Sequence, residues 1–415
     1  MPAKADDPAG AEKTRVANSG ARLAPELAWA AVLHVWNDGL PVALTVLLPS
    51  ITAELRLTYM QAALLRTLDT GAAGAAQIPL AALASRGLEI PLMGGGLVWF
   101  GVFTAALGLA MAFLTALGFA TVGGIGGGAY HPIATNRVAR LAPQSAVGRM
   151  VGTLNFAGDV GKFLFPAAAG VLAGTFGWRI SLEVIGGLAA LTGGVYLWNR
   201  RTAGAIEWSC AVPQHGDPSR AGSWWGIRQP RPFALMTAMT VLDSGIRSGT
   251  ITFLPFLLTA RGLGQAEVGG LFAVMLIGGG AGKLLCGWLT DVVSQKLVIA
   301  ATEVLMAAGT VGLVWAMGSP LLIAYLVVLG AVVNGTSSVF YAGIATLVDP
   351  SRGSRGYGIL YTGTFAGSAV APAAYGLLAD RAGLGAVFWG LGLAALAIPV
   401  LALFLPGNRA RDATM

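Results

Sequence analysis

Charged residues inside the apolar stretches of this sequence occur in pairs one helical turn apart. The pairs are His34 with Asp38, Arg66 with Asp69, Asp159 with Lys162, and Asp243 with Arg247. In a helix, residues three or four positions apart lie on the same face, so both members of a pair can share one environment. Charges that persist within a membrane span usually face a bundle interior or a water-filled path, because exposure to lipid is costly. The pattern therefore predicts a polar path through an apolar helical protein.

These residue types support two kinds of chemistry. Buried aspartate resists ionising because burial disfavours the charged form, and histidine titrates near neutral pH, so together they can take up and release protons. Arginine and lysine can hold an anion, and the planar arginine fork suits a carboxylate or a phosphonate. The predicted proton-binding residues are Asp38, His34, Asp243 and Asp69. The predicted substrate-binding residues are Arg66, Arg247, Lys162, His131, Asp159 and Lys283.

Each pair also has a structural interpretation. Asp69, Asp159 and Asp243 can neutralise the basic residue on the same helix face, which would leave ion pairs that only hold the bundle together. Asp38 and His34 can likewise form a hydrogen-bonded clamp between helices. We favour Asp38 with His34 as the proton site, because the sequence places no basic residue beside them that would hold either one permanently charged.

His131 stands directly before Pro132. Proline lacks a backbone donor and disfavours helical geometry in the residue before it, so this dipeptide predicts a helix break. We expect His131 to line the path rather than to bind a metal, since no second histidine or cysteine accompanies it in the sequence. Cys210 and Cys286 also lack the spacing of metal ligands, so no metal site is predicted.

The composition places the chain in a membrane. Hydrophobic residues make up 55% of the sequence and charged residues 11%, whereas soluble globular domains carry roughly 25% charged residues. The mean hydropathy is +0.70. With about 20 residues needed to cross a bilayer, the sequence contains twelve predicted spans. They cover residues 27–50, 60–84, 90–110, 112–135, 147–173, 180–199, 232–258, 267–290, 297–317, 320–347, 356–379 and 384–405.

The basic residues are distributed unevenly along these spans. Of the 26 lysines and arginines, eighteen lie in the terminal segments and in the connections on the same side of the predicted membrane, and four lie in the connections on the other side. The positive-inside rule therefore predicts that both termini are cytoplasmic. It also explains the net charge of +7 without a nucleic-acid partner. Residues 1–24 are polar and of mixed charge, and we expect a cytoplasmic tail there rather than a signal peptide.

The two halves of the chain are related by a shift of 206 residues. With this offset, eleven of the residues in 149–177 are identical to their counterparts, and Gly39, Leu48 and Pro49 coincide with Gly245, Leu254 and Pro255. A six-plus-six parallel repeat follows. The predicted parts of the chain are a tail over 1–24, a six-helix bundle over 25–199, a cytoplasmic linker over 200–231, a second six-helix bundle over 232–406 and a tail over 407–415.

Four runs in the N-terminal half resemble the fosmidomycin-resistance efflux family of the major facilitator superfamily. They are Leu33-His34-Val35-Trp36-Asn37-Asp38, Leu57-Thr58-Tyr59-Met60-Gln61, Gly128-Ala129-Tyr130-His131-Pro132 and Arg137-Val138-Ala139-Arg140. The resemblance implies two bundles that rock around a site near the middle of the membrane. It also implies proton-driven export of a small drug-like or anionic compound.

The resemblance to the superfamily further implies an environment for each helix. Helices 1, 4, 7 and 10 would line a central cavity, helices 2, 5, 8 and 11 would flank it, and helices 3, 6, 9 and 12 would face lipid. In the lipid-facing set Glu183 and Glu303 are acidic, and both lie within two turns of a predicted helix end. The run from Gly287 to Asp291 resembles the loop motif between helices 8 and 9, in which the acid, here Asp291, is a conformational latch.

The predicted fold class is an all-α membrane protein with twelve transmembrane helices in two pseudo-symmetric six-helix bundles. The predicted function is secondary active transport by a proton-coupled exporter, an antiporter, that works by alternating access. Two alternatives stay open: a proton-coupled uptake symporter of an organic or inorganic anion, and a membrane sensor without transport.

The expected partners are a small-molecule substrate, which can be anionic, protons and the lipid bilayer. We expect no nucleic acid, no enzymatic activity and a monomer in the bacterial inner membrane. No cofactor is expected either, because Leu284 stands where a nucleotide-binding loop requires Ser or Thr after Lys283.

Overall fold

A computed structural model describes residues 8–143, 145–202, 227–348 and 353–405, with side chains from residue 24 onward except those of residues 291, 345, 353–355 and 357. Thirteen α-helices account for most of the described residues. They are α1 (Pro8–Leu55), α2 (Tyr59–Leu83), α3 (Glu89–Gly108), α4 (Phe113–Gly127), α5 (His131–Leu141), α6 (Val147–Phe176), α7 (Trp178–Thr202), α8 (Pro230–Ala260), α9 (Gln265–Val292), α10 (Gln295–Ala316), α11 (Leu322–Leu347), α12 (Gly353–Ala382) and α13 (Leu384–Leu403).

The helices match the predicted membrane spans. Among the described residues, nine stretches are long and apolar enough to cross a membrane, and the longest of them, Tyr59–Gly108, contains both α2 and α3. The helices α8 and α12 have 31 and 30 residues, which is also sufficient length. The predicted all-helical membrane fold is confirmed, and the predicted count of twelve spans is consistent with it.

The fourth predicted span is divided into two helices. The helix α4 ends at Gly127, three residues intervene, and α5 begins at His131 with Pro132 in its first turn. Proline cannot donate to the carbonyl group four residues earlier, so the span predicted over 112–135 is interrupted here, as the His131-Pro132 dipeptide predicts. Gly128 lies in the break, where a Cβ atom would stand 2.4 Å from the carbonyl oxygen of Ala73 in α2.

The same packing scheme occurs in both halves of the chain. In the first half α1 packs on α6, α2 on α4, and α3 on α7. In the second half the corresponding pairs are α8 with α12, α9 with α11, and α10 with α13. The three pairs correspond one to one under the repeat found in the sequence, so the fold has the predicted pseudo-symmetry between two helical bundles.

The halves meet mainly along two pairs of helices, α6 with α9 and α2 with α12. Many of these contacts lie near the connections at residues 56–58 and 261–264, which we call the closed end. There Gly170 of α6 lies so close to α9 that a Cβ atom would stand 2.6 Å from the carbonyl oxygen of Gln265. The carboxylate of Asp380 accepts hydrogen bonds from the backbone N–H groups of Tyr59 and Met60, at 2.7 and 3.0 Å. The start of α2 is thus capped by a residue of the other half.

The opposite end, at residues 84–88 and 142–146, is called the open end, because a Cβ atom at Gly148 of α6 or at Gly287 of α9 would meet nothing within 4 Å. Ion pairs there join helices of the first half to one another: Arg137 contacts Glu26 at 3.0 Å and Glu89 at 2.9 Å, while Arg140 also contacts Glu89 and Arg200 contacts Glu26. Within the described residues, neither α5 nor α11 is among the helices that form the main contacts between the halves. Through these ion pairs, Arg137 and Arg140 hold α5 against α1 and α3.

Candidate functional site

The four pairs predicted from helical spacing are all in contact. His34 lies 3.5 Å from Asp38, Arg66 lies 3.1 Å from Asp69, Lys162 lies 3.2 Å from Asp159, and Arg247 lies 2.7 Å from Asp243. The structure also adds contacts between helices, which change the interpretation of several residues.

Asp38 is the centre of a cluster formed by α1, α5 and α6. Its side chain is 7% accessible, and its Oδ1 atom lies 3.2 Å from Nε2 of His131. Its Oδ2 atom lies 2.9 Å from Nζ of Lys162 and 3.5 Å from Nε2 of His34. The helix break before α5 places His131 in this cluster, and the ring of Tyr130 packs against His34 with a centroid distance of 4.9 Å.

Two sequence-based expectations about this cluster are wrong. Asp38 does have a basic partner, Lys162, and His131 does have a second histidine beside it, His34, at a ring-centroid distance of 5.1 Å. Both partners come from other helices. Spacing along one helix identifies neighbours three or four residues away, and it gives no information about contacts between helices that are distant in sequence.

Two glycines of α6 make the approach of α1 possible. A Cβ atom at Gly158 would lie 2.6 Å from both Oδ2 of Asp38 and Nε2 of His34. At Gly161 it would lie 2.0 Å from the backbone carbonyl oxygen of Val35. Small residues let helices pack closely within a membrane. The glycines of α6 thus bring Lys162 to within hydrogen-bond distance of Asp38.

A chain of ion pairs leads from this cluster into the second half. Lys162 contacts both Asp38 and Asp159, and the Asp159 carboxylate accepts two hydrogen bonds from Nζ of Lys283 in α9, at 2.8 and 2.9 Å. The side chains of Lys162 and Lys283 are 38% and 34% accessible, although both residues lie well inside their helices. We call the four residues Asp38, Lys162, Asp159 and Lys283 the charged chain.

The charged chain continues toward a third basic residue. Arg247 interacts electrostatically with Lys283, and it donates hydrogen bonds to Asp243 and to the hydroxyl group of Ser244. The Asp243 side chain is fully buried, whereas that of Arg247 is 17% accessible. Arg247 therefore holds a buried acid while part of its own side chain stays accessible.

Arg66 and Asp69 form a separate pair on α2. Arg66 donates hydrogen bonds to Asp69 at 3.1 Å and to Thr70 at 2.6 Å. Asp69 is buried, and its backbone packs against Gly124 of α4, where a Cβ atom would lie 2.2 Å from the Asp69 carbonyl oxygen. No ion pair between these two residues and the charged chain occurs among the described side chains.

Three side chains of the Asp38 cluster could in principle hold a metal ion. One ligand atom each of His34, Asp38 and His131 lie within 4.8 Å of one another. However, the Lys162 ammonium group already lies 2.9 Å from Oδ2 of Asp38. A metal cation bound to these ligands would experience repulsion from that charge, so the donor set does not fit a resident metal.

Glu303 is a buried acid that the sequence-based prediction did not include. It lies in α10, and its side chain has no accessible surface. The isolated acidic residue in α10 is a signal in the sequence, whereas its predicted position near the end of a lipid-facing helix argues against a functional role. The side chain of the predicted latch residue Asp291 lies outside the described part of the structure.

A comparison with protein families decides the class of this protein. The sequence profile described as Major Facilitator Superfamily matches residues 27–209 and 233–414. The chain belongs to the major facilitator superfamily. The profile identifies the superfamily, and membership of the fosmidomycin-resistance family remains a prediction. No curated protein sequence matches this superfamily member.

Solved structures share the fold of this superfamily member. A bacterial homolog to the human lysosomal transporter Spinster, in an inward-facing and unoccupied conformation, has a TM-score of 0.70 at 17% identity, covering 92% of this chain and 95% of that chain. A POT family transporter in complex with 5-aminolevulinic acid has a TM-score of 0.70 at 13% identity, covering 91% and 95%. Family and fold point to a multi-pass membrane transporter rather than an enzyme.

Proposed function

We propose that the protein is a proton-coupled secondary transporter of a small anionic compound and that it works by alternating access. The observation that carries this proposal is the charged chain. It joins a proton-binding cluster in the first half, around Asp38, to Lys283 in the second half. A change of protonation within it can therefore alter how strongly the two halves hold each other.

The coupling would act through Asp159. This carboxylate binds Lys162 of its own half and Lys283 of the other half. Protonation of Asp159 would weaken both ion pairs, which would free the ammonium group of Lys283 and leave that of Lys162 with Asp38 alone; both groups are about one third accessible. A carboxylate or phosphonate could then replace Asp159 as their partner.

Other residues have proposed roles around this centre. Arg247 would contribute a planar guanidinium to the same anion, since its charge interacts with that of Lys283. We propose His131 and Arg66 as further substrate contacts, His34, Asp69 and Asp243 as further proton-binding residues, and Asp291 as the latch. The many charges along the path favour transport over a sensor without turnover.

Export by antiport is the first candidate for the direction of transport. Its support is the resemblance of the N-terminal half to an efflux family. The proposed orientation, with both termini cytoplasmic and the protein in a bacterial inner membrane, rests on the distribution of lysine and arginine. In that orientation the open end faces the cytoplasm, where an exporter collects its substrate.

Uptake by symport is the second candidate, and one observation favours it. In the charged chain each lysine is held by a carboxylate, so protonation of the carboxylate and binding of an anion to the lysine assist each other. Cooperative binding of a proton and an anion in one state leads to movement of both in the same direction. An antiporter would require them to exclude each other.

Substrate identity can be tested with the purified protein. We would screen phosphonates, carboxylates and cationic compounds for thermal stabilisation, because a ligand that binds the folded protein stabilises it by mass action. The proposal expects stabilisation by anions, with weaker affinity in Arg247→Ala and unchanged affinity in the control Arg261→Ala, which alters an exposed residue at the closed end. Stabilisation by cations alone would contradict the anionic substrate, and an unchanged affinity of Arg247→Ala would exclude that residue as a contact.

The direction can be tested with the stabilising compound in proteoliposomes under an imposed pH gradient. Export by antiport predicts that compound and protons move in opposite directions, and symport predicts that they move together. No response to the gradient would contradict proton coupling in either form.

A further inference from the structure

Glu303 has the most unusual environment of the buried acids. It lies in α10, eight residues after the first residue of that helix, and its side chain is fully buried. As an ionised group it would have no hydrogen-bond donor at either Oε1 or Oε2. An ionised carboxylate without a donor is very costly to bury. Glu303 therefore requires either a proton or a hydrogen-bond donor, and no described residue donates to it.

Asp243 of α8 shares this problem and lies next to Glu303. Its Oδ2 atom accepts a hydrogen bond from Arg247 at 2.7 Å, but its Oδ1 atom has no donor. The two carboxyl groups are within hydrogen-bond distance of each other. Two carboxylates cannot form a hydrogen bond unless one of them carries a proton, and two adjacent buried negative charges repel each other strongly.

The other groups near the pair do not remove the need for a proton. Arg247 supplies one positive charge, which Asp243 already uses. From α11, Thr336 places its hydroxyl group next to Glu303 but donates it to the carbonyl oxygen of Val332 at 3.3 Å, and Tyr341 interacts with Asp243 and Arg247. Lys283 of α9 interacts with Arg247, and α13, which packs against α10, contains no titratable residue. One positive charge therefore faces two acids.

We propose that Glu303 and Asp243 bind one proton between them at neutral pH, and that they form a proton site in the second half. With this proton, two of the three oxygen atoms that have no donor become a carboxyl donor and its acceptor, and Arg247 neutralises the remaining charge. Loss of the proton would leave a net negative charge in a fully buried place. The site does not depend on the proposed transport function, because its formation follows from burial and hydrogen bonding alone.

The site also has a route by which it can sense the central space. Arg247 is the part of the cluster with accessible surface; it contacts Asp243 at 2.7 Å, and its charge interacts with that of Lys283. If an anion draws the Arg247 guanidinium away from Asp243, both acids lose their positive neighbour and hold protons more tightly. Anion binding at Arg247 and proton binding at Glu303 therefore favour each other, as anion binding and proton binding do in the charged chain.

Infrared spectroscopy of the full-length protein tests the proposal directly. At pH 7 the wild-type protein should show the carbonyl stretch of a protonated carboxylic acid, and this band should be lost in Glu303→Gln. It should also be lost in Asp243→Asn, since the introduced amide can donate a hydrogen bond to an ionised Glu303 and Arg247 then has only that one acid to neutralise. Loss in both single variants distinguishes a shared proton from two independent groups.

The control is Glu183→Gln, the same substitution in another outer helix, α7, and it should retain the band. The amide bands of each sample report helix content, and Glu303→Asp, which keeps an acid, should retain a shifted band if Glu303→Gln fails to fold. The proposal is overturned if the wild-type band is absent, if Glu303→Gln leaves it unchanged, or if Asp243→Asn leaves the band of Glu303 in place.

Discussion

The bridge between Asp159 and Lys283 is the contact whose loss has the most direct consequence. It is the described ion pair that joins the two halves within the charged chain, with Nζ of Lys283 at 2.8 and 2.9 Å from the two carboxylate oxygens. We predict that Lys283→Ala destabilises the conformation described here, which is held together at the closed end. The protein should then populate other conformations more often.

The magnitude follows from the accessibility of the two groups. Removing one member of a fully buried ion pair costs about 3–5 kcal/mol, whereas exposed pairs contribute about 0–1 kcal/mol. Lys283 is 34% accessible, and Asp159 keeps Lys162 at 3.2 Å after the substitution. We therefore expect Lys283→Ala to change the free-energy difference between the conformations by about 1.5 kcal/mol. This corresponds to about a tenfold change in their equilibrium.

Spin-label distance measurements can detect this shift. Labels on cysteines introduced at Gly148 of α6 and Gly287 of α9 would report the separation of the halves toward the open end, and a side chain at either position meets nothing within 4 Å. The native Cys210 and Cys286 are replaced first. Lys283→Arg, which keeps the charge, should resemble the wild type. Equal distance distributions in wild type and Lys283→Ala, or equal shifts in the alanine and arginine variants, would refute the reasoning.

Three further outcomes are expected. Gly161→Ala should lower the free energy of unfolding by at least about 2 kcal/mol, because the new Cβ would stand 2.0 Å from a backbone carbonyl oxygen of α1. The control Gly152→Ala, whose Cβ would meet nothing within 4 Å, should leave thermal unfolding unchanged. Asp380→Ala should cost about 1–2 kcal/mol of closed-end stability by uncapping the first backbone N–H groups of α2, and unchanged label distances would contradict this. Arg137→Lys should lower the free energy of unfolding by about 1–2 kcal/mol, because one ammonium group cannot form the hydrogen bonds that the guanidinium donates to the carboxylates of α1 and α3. A thermal unfolding midpoint equal to that of the wild type would contradict this.

Much of the fold is predictable from the sequence. Apolar stretches of about 20 residues identify spans because each must cross the hydrocarbon layer, and the offset of 206 residues correctly predicts that α1 and α8 occupy equivalent places. The break before His131 follows from Pro132, although its position at residues 128–130 also depends on the close approach of Gly128 to α2.

The candidate site is predictable within helices and not between them. The spacing of three or four residues identifies Lys162 as a partner of Asp159. Lys283, in contrast, contacts Asp159 from another helix, 124 residues further along the sequence. An unpaired charge in an apolar helix is still informative, since burial requires compensation. Applied to Lys283 and Glu303, this rule indicates that each has a partner elsewhere, and the structure identifies Asp159 and Asp243.

We propose that protonation of the charged chain, at Asp38 and at Asp159, couples the proton gradient to movement of the substrate. We would compare wild type and Asp38→Asn in proteoliposomes, using the compound identified by thermal stabilisation. Two transport modes are measured: accumulation driven by a pH gradient, and exchange of labelled for unlabelled compound at equal pH. We predict that Asp38→Asn loses gradient-driven accumulation and retains exchange. Accumulation at the wild-type level in Asp38→Asn would contradict it.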